Sequence, residues 1–456
     1  MNTSSPAGLS WWGIARLGVV QAMLGAVVVL TTSTLNRVMV VELALPALLP
    51  GLLVALHYAV QISRPRMGFG SDQGARRAPW IAGGMALLAL GGWLAAVATA
   101  WMGHQPLAGL ALAVFAFVLV GLGVSAAGTS LLTLLAKRVD APRRASAAAT
   151  VWVLMIVGFA VTAGVSGRFL DPYSGARLVA VSGVVSIVAL LVTLLALRRL
   201  EGARPTTEVD GDGASTPMTV TRFRLALAEV WAEPEARRFT IFVFVSMLAY
   251  SAQDLILEPF AGVMFGFTPG ESTQLSGVQH GGTLAGMLLA ALAGRRIAGV
   301  GLGSLRVWTV GGCLASCLAL AGLVVAGLGA APGWPLRGNV FLLGVANGAF
   351  SIAAIGSMMA LAGRGRACRE GTRMGLWGAA QAIGFAVGGL VGTAASDLCR
   401  WLIGTPGPAY AAVFAAEALL FVASAWLASQ ITLPVALAAD DPLPAPIGAH
   451  PVQEHS

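Results

Sequence analysis

Charge is scarce in this chain. Asp, Glu, Lys and Arg make up 11% of its 456 residues, against about 25% in an average soluble domain. So few charges cannot cover a water-facing surface of that size. Lysine is nearly absent: Lys137 is the only one among 28 basic side chains. The four cysteines, Cys313, Cys317, Cys368 and Cys399, form no CxxC pair, so there is no disulfide framework. Cys313 and Cys317 stand one helical turn apart in an apolar run and read as small packing residues. There is no HExxH, no P-loop and no Asp-rich pair at helical spacing that would hold magnesium and a diphosphate. Gly299-Val-Gly-Leu-Gly303 follows an apolar run and a basic pair rather than a strand, so it is not a nucleotide loop. Disorder, a disulfide scaffold and nucleic acid as a partner are excluded. No residue is assigned a catalytic role, and no cluster reads as a resident metal site.

What is present is apolar. Hydrophobic residues reach 57% before the 58 glycines are counted, and the lipid bilayer is the solvent that such a composition fits. A membrane-spanning helix needs about 20 mostly apolar residues. Twelve stretches meet this: 15–35, 43–62, 79–101, 107–134, 147–167, 177–197, 239–260, 274–293, 305–328, 337–362, 374–395 and 409–430. The first is too long for a signal-peptide core and lacks a basic leader, so it is expected to remain as a span. Arginines crowd the loops that follow even-numbered spans, for example Arg64, Arg66, Arg76 and Arg77 after the second. The positive-inside rule then places both termini and the even loops in the cytoplasm. A multi-pass position in the membrane, with both termini cytoplasmic, is the expected arrangement.

The chain repeats itself. Gly158-Phe-Ala-Val161 in the fifth span returns as Gly384-Phe-Ala-Val387 in the eleventh, each following a tryptophan, Trp152 or Trp377. The Gly-rich run from Gly121 in the fourth span is echoed from Gly344 in the tenth. The expected fold is an all-α membrane protein of twelve transmembrane helices in two pseudo-symmetric six-helix halves, the major facilitator superfamily architecture. Its parts are an N-terminal bundle (1–197), a cytoplasmic linker (198–238) that is Gly/Asp/Thr/Pro-rich around 208–217, a C-terminal bundle (239–430) and a disordered tail (431–456). Between spans 2 and 3, Gly68-Phe-Gly-Ser-Asp72-Gln-Gly-Ala-Arg76-Arg77 resembles the superfamily's cytoplasmic loop motif. Gln73 stands in place of a basic residue, and a merely topogenic basic loop is the alternative.

Ionisable groups inside a bilayer cost several kcal/mol unless paired or hydrated, so each one is a functional candidate. Arg37 and Glu42 fall at the outer end of span 1, and Asp254 and Glu258 in the outer part of span 7. Asn36-Arg37 and Gln253-Asp254 are read as matching places in the two halves. An Arg37–Asp254 pair across the pseudo-twofold axis would close the outer side; the alternative is that Arg37 snorkels to the interface. His57 in span 2 and His280 in span 8 are candidate ligands for a metal, including the magnesium of a chlorin, against the alternative of hydrogen bonds to neighbouring helices. Glu417 lies in span 12. Spans 4 and 10 hold no carboxylate, and an interior of Gly, Ala, Leu and Val suits apolar cargo better than sugars or peptides.

Several strings resemble one family closely. Thr34-Leu-Asn-Arg-Val-Met-Val-Val-Glu42-Leu-Ala-Leu-Pro46 and Gly51-Leu-Leu-Val-Ala-Leu-His57-Tyr are similar to the opening of the PucC family, a branch of the major facilitator superfamily. Ser251-Ala-Gln-Asp254-Leu-Ile-Leu-Glu258-Pro-Phe260, Gln279-His-Gly-Gly282 and Asn347-Gly-Ala-Phe-Ser351 continue the likeness, which covers roughly residues 12 to 430. The resemblance implies work in the photosynthetic membrane of a phototrophic bacterium. It implies handling of bacteriochlorophyll, as cargo or bound pigment, and its delivery to the light-harvesting α and β polypeptides, with bacteriochlorophyll synthase as a further partner. The Leu30–Leu35 and Leu56–Tyr58 strings look most like a branch labelled a bacteriochlorophyll synthase chain, although residues for prenyl transfer are lacking. On this implication Arg37, Glu42, Asp254, Glu258, Asn36 and Gln253 bind pigment or gate its passage, and His57 and His280 ligate magnesium. The rivals are a proton-coupled exporter of small hydrophobic compounds and a non-catalytic subunit of a synthase assembly.

Overall fold

The computed structural model describes residues 9–61, 77–140, 143–200, 228–293, 303–330, 333–362 and 370–431. Gly68, Asp72, Arg76 and most of the linker and tail lie outside them. Among the described residues, twelve helices carry the fold: α1 (Trp11–Glu42), α2 (Leu48–Val60), α3 (Ala78–Met102), α4 (Pro106–Arg138), α5 (Arg144–Leu170), α6 (Gly175–Leu197), α7 (Pro234–Phe265), α8 (Pro269–Ala293), α9 (Leu305–Val325), α10 (Leu336–Ala362), α11 (Glu370–Ile403) and α12 (Pro406–Ser429). Ten of them are long and apolar enough to cross a membrane. The other two are α2, which is shorter, and α8, which is more polar. Arg77 stands at the N-cap position of α3.

Local chemistry sets the ends. Proline occupies the first turn of α3, α4, α7 and α12, where its missing N–H costs nothing. Ser10, Ser174 and Ser304 accept from the first-turn amides of Gly13, Arg177 and Val307. Gly266, at a φ of 67°, closes α7 in the left-handed conformation that glycine adopts without strain.

Each half packs on its own core. One is built from Ile14, Leu17, Met85 and Leu131, the other from Phe242, Phe260, Phe350 and Phe414. Within each half the same neighbours recur: α1 lies on α5 and α6 as α7 lies on α11 and α12, and α3 lies on α6 as α9 lies on α12. The halves meet through α2 against α11, α5 against α8, and the second half of α1 against α7 and α8. Large apolar side chains such as Leu191, Leu318, Trp401 and Leu419 are exposed, an outward face that only lipid satisfies.

The first helix differs from its expected extent. It runs to Glu42 rather than ending near residue 35, through two π-helical stretches, Leu30–Thr34 and Val38–Glu42. Leu43 N–H reaches back five residues to the Val38 carbonyl. Such wide turns are a frequent mark of functional segments.

Candidate functional site

The ends of α1 and α7 away from the two termini form the most polar part of the interior. Pro259 lies within α7, and having no N–H it leaves the carbonyl four residues back without its helical partner. That carbonyl belongs to Leu255, and Asn36 Nδ2, from the other half, donates to it at 2.6 Å. A backbone defect in one half is thus repaired by a side chain of the other. Asn36→Leu is expected to cost about 1–3 kcal/mol, the usual penalty for a buried acceptor left unmet. In a Pro259→Ala background the cost should shrink, because the alanine N–H can take the carbonyl. A double-mutant cycle in thermal unfolding reads this, and equal costs in both backgrounds would sink the account.

One residue further, Arg37 is 2% exposed. It pairs with Glu42 and donates to the Phe267 carbonyl in the α7–α8 connection. Residues five apart point away from one another on an α-helix but come together on a π turn, so the π stretch is what makes this pair. The guanidinium lies over Gly262, where an added Cβ would stand 3.0 Å from it. The expected Arg37–Asp254 pair does not form: Glu42 is nearer on the same helix, and Asp254 instead accepts from Gln279 Nε2 at 3.1 Å. Snorkelling is excluded too, because Arg37 is enclosed by protein. Tyr173, between α5 and α6, sits beside Arg37 and Glu42. Burial, then the Glu42 charge, raises its phenol above the ordinary value, so it stays protonated at neutral pH.

Glu258 is buried close to Arg37, Ser33 and Ser276. The hydroxyls of Thr34 and Thr273 share a hydrogen bond at 3.0 Å. This is why α8 is polar: Thr273, Ser276, Gln279 and His280 are buried against the other half and against α7. Gln253 is fully buried next to Asp254. Glu417, on α12, falls within electrostatic range of Asp254, and neither of its carboxylate oxygens has a hydrogen-bond partner among the described residues.

The two histidines differ. His57 Nε2 meets Gln61 Nε2 at 2.9 Å; an amide nitrogen donates, so that ring nitrogen accepts and its lone pair is in use. His280 Nδ1 lies 2.8 Å from the Ser276 carbonyl. A carbonyl only accepts, so Nδ1 carries the proton and Nε2 keeps its lone pair, the form that ligates metals. The ring of His280 stands edge-on to Phe159 of α5, 4.9 Å between centroids, at the seam of the two halves. On the facing seam Tyr58 of α2 meets Phe385 of α11 at 5.7 Å, and Phe385 meets Tyr250 at 5.8 Å.

Pairs that no single-residue reading singles out also appear. Gln21 Nε2 donates to Met155 Sδ at 3.3 Å, and Gln381 Nε2 donates to Met247 Sδ at 3.9 Å. Both positions are repeated at a spacing of 226 residues, with glutamine and methionine exchanged. Arg373 binds Glu233 through two hydrogen bonds, 2.9 and 2.7 Å, holding α11 to the entry of α7. At the end away from the termini, Asp397 of α11 accepts from the amides of Ala47 and Leu48 at 3.0 and 2.8 Å. Asp171, after α5, accepts from the Thr268 hydroxyl at 2.7 Å and the Gly270 amide at 3.3 Å. The 226-residue offset, visible in the sequence, was the signal that would have found these aspartates.

Two six-helix halves with these cross-half seams make the chain a multi-pass membrane protein of the major facilitator fold. A D-xylose-proton symporter structure superposes with a TM-score of 0.67, covering 92% of this chain and 97% of that one at 15% identity. The family model described as PUCC protein matches residues 34–435, and the chain belongs to that family. It is 54% identical over 430 residues to the bacteriochlorophyll synthase 44.5 kDa chain of Rhodobacter capsulatus, covering 93% of this chain and 96% of the relative. Protein PucC of Rhodobacter capsulatus is 29% identical over 435 residues, 90% of each chain.

Proposed function

We propose that this chain handles bacteriochlorophyll in the photosynthetic membrane: it takes the pigment between its two halves and hands it to light-harvesting α and β polypeptides, working beside bacteriochlorophyll synthase without catalysing the synthesis. The observation that carries this reading is His280, whose Nε2 lone pair is left available at the α5–α8 seam by the Nδ1 bond to Ser276. The seam borders lipid, with Val161 and Val165 of α5 and Leu288 and Leu289 of α8 exposed, so a lipid-soluble cargo can reach it sideways. The names of the relatives, one a bacteriochlorophyll synthase chain, support the same choice of cargo. The termini are expected on the cytoplasmic side, as the arginine distribution requires.

The test is an absorption spectrum of the protein purified gently from its native membrane, with co-purifying polypeptides identified. Stoichiometric bacteriochlorophyll with antenna or synthase partners is the expected result. His280→Leu should lose most of that pigment and His57→Leu should keep it; the reverse would remove His280 as the ligand. A colourless protein without such partners would overturn the reading. A second reading, a proton-coupled exporter of small hydrophobic compounds, is favoured by Asp254 and Glu417 lying together in the C-terminal half. It requires flux that Asp254→Asn or Glu417→Gln abolishes. Turnover of chlorophyllide and a prenyl diphosphate by the purified chain would instead make it an enzyme.

A further inference from the structure

We propose that Asp171 and Asp397 are a matched pair of latches that hold the halves together at the end away from the termini, and that releasing both is the step that opens that end. The two residues are 226 positions apart, the spacing that relates Gly158-Phe159 to Gly384-Phe385. Each crosses to the other half and binds the start of a helix there. Asp397, in the C-terminal half, caps α2; Asp171, in the N-terminal half, caps α8.

The recipients show that the ties are built in. The N-cap of α2 is Ala47, which offers no side-chain hydrogen bond, so the first amides depend on the carboxylate from the opposite half. α8 already has a local capping box: Thr268 Oγ1 accepts from the Glu271 amide, and Glu271 accepts from the Thr268 amide. Asp171 accepts from the same hydroxyl and from the Gly270 amide. Beneath each latch the helices touch through small residues one turn before the aspartate, Gly167 against Gly270 and Gln274, and Thr393 against Gly51. Gly167 and Thr393 are themselves 226 apart. Symmetry of position, direction and packing together makes the pair one device.

The ties are also of a kind that can let go. Both aspartates are half-buried, and on release each carboxylate passes into water, which solvates it well. Arg37 crosses only to the Phe267 carbonyl and keeps Glu42, on its own helix, as its partner when that contact parts. The latches are therefore the reversible part of this closure.

The test uses the full chain with its four cysteines replaced and one reporter, Thr273→Cys, which lies buried against Thr34 of the other half. Its reaction rate with a water-soluble maleimide reports opening. Either Asp171→Ala or Asp397→Ala is expected to raise the rate about fivefold, the worth of one helix cap. The double variant should raise it roughly as the product of the two. If the alanine pair fails to accumulate, the Asp171→Asn/Asp397→Asn pair, which keeps size and one acceptor, is read in the same way with a smaller rise. A double variant that labels at the parental rate overturns the proposal. So does an effect confined to one of the two aspartates, because the device would then not be a pair.

Discussion

Arg37→Ala should be among the most damaging single substitutions in this chain, costing about 3–5 kcal/mol of stability, the usual result of breaking a buried ion pair from one side. Three losses coincide. Glu42 is left without its cation, the Phe267 carbonyl loses its donor, and Glu258 loses the positive charge of Arg37 close to it. Glu42→Gln should be milder, because the glutamine amide oxygen still accepts from the enclosed guanidinium and only the charge is lost. Arg37→Lys keeps the charge but not the fork that serves two acceptors at once, so an intermediate loss is expected. Thermal unfolding in detergent and abundance in the membrane are the measurements. An Arg37→Ala protein that melts with the parent would mean that the closure does not depend on this residue.

Gly286→Leu is expected to prevent accumulation of the folded chain. α8 and α10 cross through two reciprocal small-residue steps, Gly282 with Gly286 and Gly344 with Gly348. A Cβ added at any of the four runs into backbone of the opposite helix: Phe341, Val345, Gln279 or Thr283. Backbone cannot turn aside as a flexible side chain can, and overpacking commonly costs about 1–3 kcal/mol or more. Close approach of this kind is how helices associate where no hydrophobic force acts between them. Gly281→Leu on the same helix is the control, since a Cβ there meets nothing within 4 Å. If both variants accumulate alike, the crossing is looser than its geometry implies.

His280 shows how far chemistry can be read from residue type. The sequence marks both His57 and His280 as imidazoles within spans, and nothing in either string separates them. The separation comes from neighbours one turn away, Gln61 for one and the Ser276 carbonyl for the other. These set which ring nitrogen keeps its lone pair. Glycines are similar: a Gly/Ala-rich span is legible as such, but which glycine faces a backbone, as Gly286 does, and which faces open space, as Gly281 does, depends on the partner helix.

By itself the sequence determined the number and approximate limits of the helices, their grouping into two halves and the family. Insertion of a helix into lipid depends on the summed transfer free energy of adjacent residues, which is a local quantity, and a repeat needs only comparison of the chain with itself. Tertiary structure decided the partners of the polar groups. At the 226-residue spacing the counterpart of Arg37 is Val263 and that of Asp254 is Val28, so the two are not symmetry mates. Arg37 turns to Glu42 because two π stretches rewind the end of α1, and Asn36 turns to Leu255 because Pro259 frees a carbonyl there. Asp171 and Asp397 look like ordinary acids at helix ends until the opposite half brings bare amides within 3.3 Å. In a medium that offers no water, each buried polar group must take whichever partner the packing brings within reach. That choice lies between residues far apart in the chain, and only the assembled bundle makes it.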